Sequence, residues 1–318
     1  MSQHAMPVTA ALGVVGIVML SVAADQLVIG AARLAARLGV APIVVGIVVI
    51  GVGTSAPELL VSATAAHGGH AELAIGNLTG SNVLNLTLVL GLAALVAPLS
   101  VRSSVVRREA PLAVGSVALF TATLVLPGLD IAVGVLLSAV LAVAFLLLVR
   151  TSRVGSDPLP EEAGEFVDGG AGHNLLREGV RAALGLAGTL AGAELLVSNA
   201  ADFAARLGVS PQVIGFTLVA LGTSLPELVT SIQAQRRDES DLVAGNLLGS
   251  TVVNSLGGGA VIALAHRGHP ATGNLTVNLL MVAIACLVWA LLARGHRLTR
   301  PEAIFLILLY GATLPLLA

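Results

Sequence analysis

The chain has 318 residues, of which 56% are hydrophobic and 11% charged, with a formal net charge of -2 and a mean hydropathy of +0.96. Soluble domains carry roughly 25% charged residues, so this chain has too few polar groups to cover a water-facing surface. Cys286 is the only cysteine, which excludes a disulfide-stabilised secreted scaffold. The small negative charge argues against nucleic acid as a partner. The composition predicts a membrane protein whose main partner is the lipid bilayer.

Ten apolar segments are long enough to cross the bilayer, which takes about 20 mostly apolar residues in a helix. The first segment is too long for a cleaved signal peptide, and no basic residue precedes it. We therefore predict an all-α membrane protein with ten transmembrane helices. In chain order they lie near 9–35, 42–66, 72–97, 111–127, 129–149, 179–205, 211–234, 242–265, 274–293 and 301–317.

The basic residues indicate the orientation of these helices. All sixteen are arginines, and fourteen fall on one side of the predicted membrane, with only Arg206 and Arg267 on the other. Loops rich in basic residues stay in the cytoplasm. The pattern predicts a multi-pass protein of the cell (inner) membrane, with both termini outside the cytoplasm.

An internal repeat links the two halves at a constant offset of 169 residues. ARLGVAPIVVG at 36–46 matches ARLGVSPQVIG at 205–215. GTSAPELLVSATAA at 53–66 matches GTSLPELVTSIQAQ at 222–235, and GNLTGSNVLN at 76–85 matches GNLLGSTVVN at 245–254. Five spans in each half would give the two copies opposite orientations in the membrane. Inverted-topology repeats of this kind are typical of secondary transporters.

We expect a first five-helix repeat at 1–150, with its motif at about 41–91, and a second at 176–318, with its motif at about 210–260. A cytoplasmic linker at 151–175 would join them. The acidic residues of this linker lack the alternating spacing and central glycine of a calcium loop. The architecture favours a transporter rather than an enzyme.

Two glutamates lie in the middle of predicted spans. Glu58 and Glu227 occupy matching positions of the two repeats, and an ionisable group at that depth costs about 2.5–3.5 kcal/mol or more, which marks a functional site by default. Each follows a proline, and a proline inside a helix removes a hydrogen bond and kinks the chain. We expect carbonyl groups near Thr54 and Thr223 to be left free for a cation.

Hydroxyl and amide groups surround this motif. Ser55 and Ser224 stand beside the two threonines, and the third and eighth spans carry further polar groups at helical spacings: Asn77, Ser81, Asn82, Asn85, Asn246, Ser250 and Asn254. The alternative for those two spans is helix packing, because each also contains a Gly-x3-Gly pattern. The donors are all oxygen atoms, which select hard cations over zinc or copper.

The charge of the motif favours calcium. Two carboxylates balance one Ca²⁺, and calcium accepts six to eight oxygen ligands in flexible geometry, whereas magnesium gives up its water reluctantly. Sodium could occupy the same oxygen-lined region. Because both cations would need the same carboxylates, they should compete, as antiport requires. No cofactor is expected beyond the transported Ca²⁺ and Na⁺.

These motifs resemble the two alpha repeats of the sodium/calcium exchanger family, of prokaryotic type. The resemblance implies that Glu58 and Glu227, with carbonyl groups of Thr54 and Thr223, bind Ca²⁺. It also implies alternating access by sliding of the first and sixth helices. The Na⁺ ligands and site-lining groups that it implies are Thr54, Ser55, Ser81, Asn85, Thr223, Ser224, Ser250 and Asn254, with the backbone of Gly51 and Ala220.

Some relatives carry aspartate where this chain has Asn254, including the potassium-dependent branch, so the resemblance argues against potassium transport. It implies exchange of Na⁺ for Ca²⁺. A Ca²⁺/H⁺ antiporter that uses the same glutamates stays open as the alternative. A cation channel is a weaker alternative, because channels usually need rings of subunits and nothing predicts an oligomer; we expect a functional monomer. A calcium sensor that does not transport is the weakest alternative, because it would need a soluble domain to report calcium binding.

Overall fold

The computed structural model describes residues 6–126, 128–151, 174–207, 220–266 and 272–317. Within them the chain is helical apart from turns and one short ribbon, in which β1 (Leu99–Ser100) pairs antiparallel with β2 (Arg297–Leu298). The predicted linker at 151–175 lies almost entirely outside the described residues, as does the beginning of the predicted span at 211–234. The helices are α1 (Met6–Leu38), α2 (Pro42–Thr54), α3 (Ala56–His67), α4 (Ala71–Val96), α5 (Val105–Val125), α6 (Ile131–Thr151), α7 (Leu175–Arg206), α8 (Ala220–Thr223), α9 (Leu225–Arg236), α10 (Ser240–Ala265), α11 (Leu275–Gly295) and α12 (Arg300–Leu317).

Seven of the described helices are long and apolar enough to cross a membrane, and α2 with α3 makes an eighth if that bent pair is one span. The protein is therefore an all-helical, multi-pass membrane protein. The tenth predicted span coincides with α12, which is not among these seven helices or the bent pair. The seventh falls partly outside the described residues.

The helices form a buried centre and a lipid-facing layer. In α10 and α4, 89% and 72% of the most apolar window is buried, against 28% in α1, α6 and α7. The exposed large side chains of α1, such as Val14, Ile17 and Val22, are apolar, as expected for a surface in contact with acyl chains. The polar side chains of α4 and α10 are thereby shielded from lipid.

Helices α1 and α7 pack antiparallel along their whole length. Gly30 of α1 lies against Ala182, and Gly16 lies against Leu196. A methyl group on Gly192 would come within 2.6 Å of the backbone nitrogen of Leu20. Glycines bring the two backbones together here, as in small-xxx-small interfaces of membrane helices.

Four of the described helices contain π-helical turns. These turns are Val105–Glu109 in α5, Gly46–Gly51 in α2, Asn85–Val89 in α4 and Val253–Gly258 in α10. The last two begin at or beside positions related by the repeat offset, at Asn85 and Val253. A π turn widens the helix by one residue and is frequent at functional sites.

Candidate cation-binding site

The first glutamate motif lies at a break between two helices. Helix α2 ends at Thr54, Ser55 stands alone with φ -79° and ψ 0°, and α3 begins at Ala56, so that α2 and α3 are bent by 44°. Pro57 occupies the first turn of α3, where its missing N–H is tolerated. The predicted kink is therefore present, and it directs Glu58 inward from the beginning of α3.

The second motif has the same local structure. Helix α8 ends at Thr223, Ser224 stands between the helices with φ -94° and ψ 7°, and α9 begins at Leu225 with Pro226 in its first turn. Glu227 is again in the first turn. The N-terminal end of a helix favours a negative charge, so both carboxylates occupy positions that suit them electrostatically.

Reciprocal hydrogen bonds connect each glutamate to a serine of the other motif. Ser224 Oγ donates to Glu58 Oε1 at 2.9 Å, and Ser55 Oγ donates to Glu227 Oε1 at 3.3 Å. Each serine belongs to the motif of the other glutamate. Both glutamates are completely buried. The structure therefore brings the two motifs, 169 residues apart, into one site.

One oxygen of each carboxylate, Oε2 of Glu58 and of Glu227, has no hydrogen-bond partner among the described residues. No described arginine forms an ion pair with either group. Nor do three or more His, Cys, Asp or Glu side chains in the described ranges form a group that could hold a metal ion. A buried carboxylate without a counter-charge is expensive unless it is neutralised. The site can gain that compensation from a proton or a bound cation.

Matching asparagines hold the two glutamate backbones in place. Asn77 Nδ2 donates to the carbonyl of Glu58 at 3.2 Å and to Ser62 Oγ at 3.0 Å. Asn246 Nδ2 donates to the carbonyl of Glu227 at 3.2 Å and to Ser231 Oγ at 3.0 Å. Both asparagines thus use their amide groups in helix packing, the alternative weighed for these spans. Ser62 and Ser231 were not predicted, although they too are related by the repeat offset.

Other predicted groups line the same region. Ser250 Oγ lies 3.3 Å from the carbonyl oxygen of Gly51 and 3.4 Å from Glu227 Oε1. Thr54 Oγ1 lies 2.9 Å from the carbonyl oxygen of Ile50 and 3.1 Å from Asn246 Oδ1. Hydroxyl, carbonyl, amide and carboxylate oxygens are therefore grouped around Glu227, as a hard cation requires.

The remaining predicted residues differ in how much the structure says of them. Asn85 and Asn254 are completely buried, and in the described part neither amide group has a hydrogen-bond partner. Ser81 is buried too. Thr223 is half-buried at the end of α8, and Ala220 begins that helix. Like the two glutamates, Asn85 and Asn254 are therefore buried polar residues with hydrogen-bonding atoms that have no partner among the described residues.

Comparison with known proteins identifies the family. The sequence model described as sodium/calcium exchanger protein matches residues 8–153 and again 180–317. The chain belongs to the sodium/calcium exchanger family. Among its relatives, inner membrane protein YrbG of Escherichia coli is 36% identical over 77% of this chain and 76% of its own length. Sodium/calcium exchanger MaX1 of Methanosarcina acetivorans is 27% identical over 95% and 96%.

Solved structures of the sodium-calcium exchanger NCX_Mj share the fold of this family member. One, soaked with 10 mM Na⁺ and zero Ca²⁺, gives a TM-score of 0.85 at 29% identity and covers 98% of this chain and 99% of its own. Another, soaked with 2.5 mM Na⁺ and 0.1 mM Ca²⁺, gives 0.83 at 31% identity, over 97% and 98%. The family is one of membrane transporters rather than of enzymes.

Proposed function

We propose that this protein exchanges Na⁺ for Ca²⁺ across the cell membrane, with Glu58 and Glu227 as the central cation ligands. The observation that carries the proposal is the pair of completely buried carboxylates, each with one oxygen that has no partner among the described residues. Their reciprocal serine bonds hold them at one site. A divalent cation would balance both charges at once.

The neutral ligands of Ca²⁺ in this proposal are the carbonyl groups of Thr54 and Thr223, which stand at the two helix breaks. Sodium would use the hydroxyl groups of Ser55, Ser81, Ser224 and Ser250, the backbone of Gly51 and Ala220, and the surroundings of Asn85 and Asn254. Ser250 Oγ and the carbonyl oxygen of Gly51 lie 3.3 Å apart, so both could be ligands of one monovalent ion. The ions share Glu58 and Glu227, so the binding of one excludes the other.

We propose ten spans in two inverted five-helix repeats, at 1–150 and 176–318, joined by the linker at 151–175. Two observations support this architecture. Helices α1 and α7, which begin the two halves, run antiparallel, and the family's sequence model matches the chain twice. The arginine distribution supports termini outside the cytoplasm. A monomer suffices, because both glutamates come from one chain.

Alternating access would follow from movement of α1 and α7 across the other helices. These two are among the least buried spans and pack against each other over their whole length. Such a pair can slide as a unit while α3, α4, α9 and α10 keep the site in place. Transporters with inverted repeats commonly move one bundle against a fixed midplane site.

The second candidate is Ca²⁺/H⁺ exchange by the same residues. The two unpartnered carboxylate oxygens favour it, because a proton would neutralise a buried carboxylate as a cation does. A test on purified protein in sealed vesicles separates the two. With equal pH on both sides, an outward Na⁺ gradient should drive uptake of ⁴⁵Ca²⁺. Uptake that follows a pH step and ignores Na⁺ would reject Na⁺ coupling in favour of H⁺.

The same vesicles test the stoichiometry implied by the resemblance, three Na⁺ for one Ca²⁺, which would move one net charge per cycle. Calcium uptake should then change when the membrane potential is clamped with potassium and valinomycin. Flux independent of the potential would reject that ratio and leave an electroneutral exchange. Saturable counterflow distinguishes either exchanger from a channel.

A further inference from the structure

A groove of about 360 Å³ lies on the surface between α1 and α7, apart from the cation site. Two guanidinium groups, of Arg177 and Arg181, stand beside it near the beginning of α7. Its walls are apolar side chains, among them Val180 and Leu184, which are 47% and 68% exposed. The groove therefore combines a cationic end with an apolar wall that faces the lipid.

The carboxylate of Glu178 balances part of the positive charge of the arginines at this end of the α1–α7 pair. Its carboxylate is completely buried and lies 3.2 Å from Nη1 of Arg181 and 3.5 Å from Nη1 of Arg33 in α1. Arg177 is exposed, and no partner for it is present in the described part of the chain. Two guanidinium groups, of Arg33 and Arg181, thus share one carboxylate, and Arg177 adds a third positive charge, so the cluster keeps a net positive charge. The ion pairs also restrain the Arg181 side chain, so that less conformational freedom is lost when an anion binds.

We propose that this groove binds one anionic phospholipid, with its phosphate between Arg177 and Arg181 and an acyl chain along Val180 and Leu184. Charge complementarity selects an anionic headgroup. The exposed apolar wall selects a lipid over a soluble anion, because phosphate alone would leave that wall without a partner. Basic pockets between helices on the cytoplasmic side suit anionic headgroups.

The position of the groove gives the lipid a mechanical consequence. It touches Ala23 and Gln26 of α1 as well as residues of α7, the two helices for which we propose movement. A lipid that contacts both helices would stabilise their mutual packing. The assignment of this end to the cytoplasmic leaflet rests on the proposed orientation of the transporter. Binding itself requires neither transport nor bound Ca²⁺.

The experiment measures which lipid the full-length protein retains. Protein in vesicles of phosphatidylcholine mixed with phosphatidylglycerol is extracted and examined by native mass spectrometry, without Na⁺ or Ca²⁺ gradients. We expect preferential retention of one phosphatidylglycerol molecule. Arg177→Gln should weaken that preference about fivefold, the effect of one basic residue near an anionic surface. Arg294→Gln, at an exposed arginine of α11, is the matched control and should leave it unchanged.

A second variant tests the groove rather than the charge. Leu184 is an exposed residue of the apolar wall, so the larger side chain of Leu184→Trp should occupy part of the groove. Phosphatidylglycerol retention should then fall although both arginines remain. Equal retention of the two lipids by the unsubstituted protein, or equal loss in Arg294→Gln, would overturn the proposal. Displacement of the lipid by inorganic phosphate alone would assign the site to a soluble anion instead. Glu58→Gln should keep the lipid but lose transport, which separates this proposal from the proposed function.

Discussion

Arg237, which follows α9, forms a bidentate ion pair with Asp25 in the middle of α1. Its Nε lies 2.7 Å from Asp25 Oδ1, and its Nη2 lies 2.8 Å from Oδ2. The pair joins α1 to the helix that carries Glu227. The first repeat offers no equivalent arginine, because position 68, which corresponds to Arg237, is Gly68. The two faces of the protein are therefore held together differently.

We predict that Asp25→Asn and Arg237→Gln each favour the state in which the cation site opens toward the Arg237 side. Both side chains are about one-third exposed, and an exposed ion pair contributes about 0.2–1 kcal/mol, which corresponds to a population shift of up to about fivefold. The ratio of apparent Ca²⁺ affinities on the two faces of oriented vesicles measures this shift. The exchanged pair Asp25→Arg with Arg237→Asp should restore the original ratio.

The matched control for this pair is Asp202→Asn. Asp202 pairs with Arg206 one turn away in α7, at 2.9 Å, and accepts a hydrogen bond from Thr9 of α1 at 3.3 Å, so among the described residues it connects α7 to α1 and not to the helices of the cation site. Its loss should leave the affinity ratio unchanged. An unchanged ratio in Asp25→Asn as well would show that the Asp25–Arg237 pair has no influence on which face opens.

Because the two halves match, comparing them predicted which residues come together in the candidate site. The same comparison could not predict contacts that occur in one half only. Matching motifs led to Glu58 and Glu227, and the structure indeed joins them through Ser55 and Ser224. The Asp25–Arg237 pair breaks the repeat, so no comparison of the two halves could have found it.

The helix edges and the π-helical turns were harder to predict. The span predicted at 111–127 begins earlier in the structure, at Val105, because a π turn that contains Arg107 and Arg108 opens helix α5. Two adjacent charges in the sequence indicate a loop between spans rather than the first turn of a helix. The π turns in α4 and α10 lie within continuous helices, and no break in the residue pattern marks where a period of 3.6 residues gives way to a longer one. Of the polar residues predicted to share one face, Asn77 and Asn246 bond to neighbouring helices, whereas the amide groups of Asn85 and Asn254 have no partner in the described ranges.

We predict that Glu58→Gln and Glu227→Gln each abolish Ca²⁺ flux without unfolding the protein. Glutamine keeps the size of the side chain and can still accept the serine hydrogen bond, but the site loses one of the two negative charges that balance Ca²⁺. The measurements are ⁴⁵Ca²⁺ counterflow in vesicles and the apparent melting temperature in detergent. Glu72→Gln, at an exposed position in the first turn of α4, is the control and should keep full flux. Wild-type flux in either site variant would remove that glutamate from the proposed site.

We predict that Gly192→Ala destabilises the contact between α1 and α7. The added methyl group would lie 2.6 Å from the backbone nitrogen of Leu20, which is rigid, so the helices must separate. Overpacking of this kind costs about 1–3 kcal/mol, and we expect a lower melting temperature together with slower transport. Gly179→Ala, in the same helix with nothing within 4 Å of the new methyl group, is the control. A normal melting temperature and normal flux in Gly192→Ala would show that the two helices do not need this close approach.

The last prediction concerns Glu239, in the turn between α9 and α10. Burial, and to a smaller extent the nearby Asp241, raise the pKa of its carboxyl from 4.5 to about 7, while Arg237 opposes the shift. A carboxyl with a raised pKa binds more protons in the folded state than in the unfolded state. Stability should therefore fall as the pH rises from about 4.5 to about 7 and stay level above that range.

Glu239→Gln removes this titration and imitates the protonated form. The apparent melting temperatures of the variant and the unsubstituted protein should agree at the acidic end of the window, and the variant should be the more stable one above about pH 7. In an Asp241→Asn background the upper edge of the window should move to lower pH, because one of the charges that raises the pKa in the folded state is gone. Melting temperatures that remain parallel across the whole range would mean that Glu239 titrates alike in the folded and unfolded protein, and that burial does not disfavour its charge.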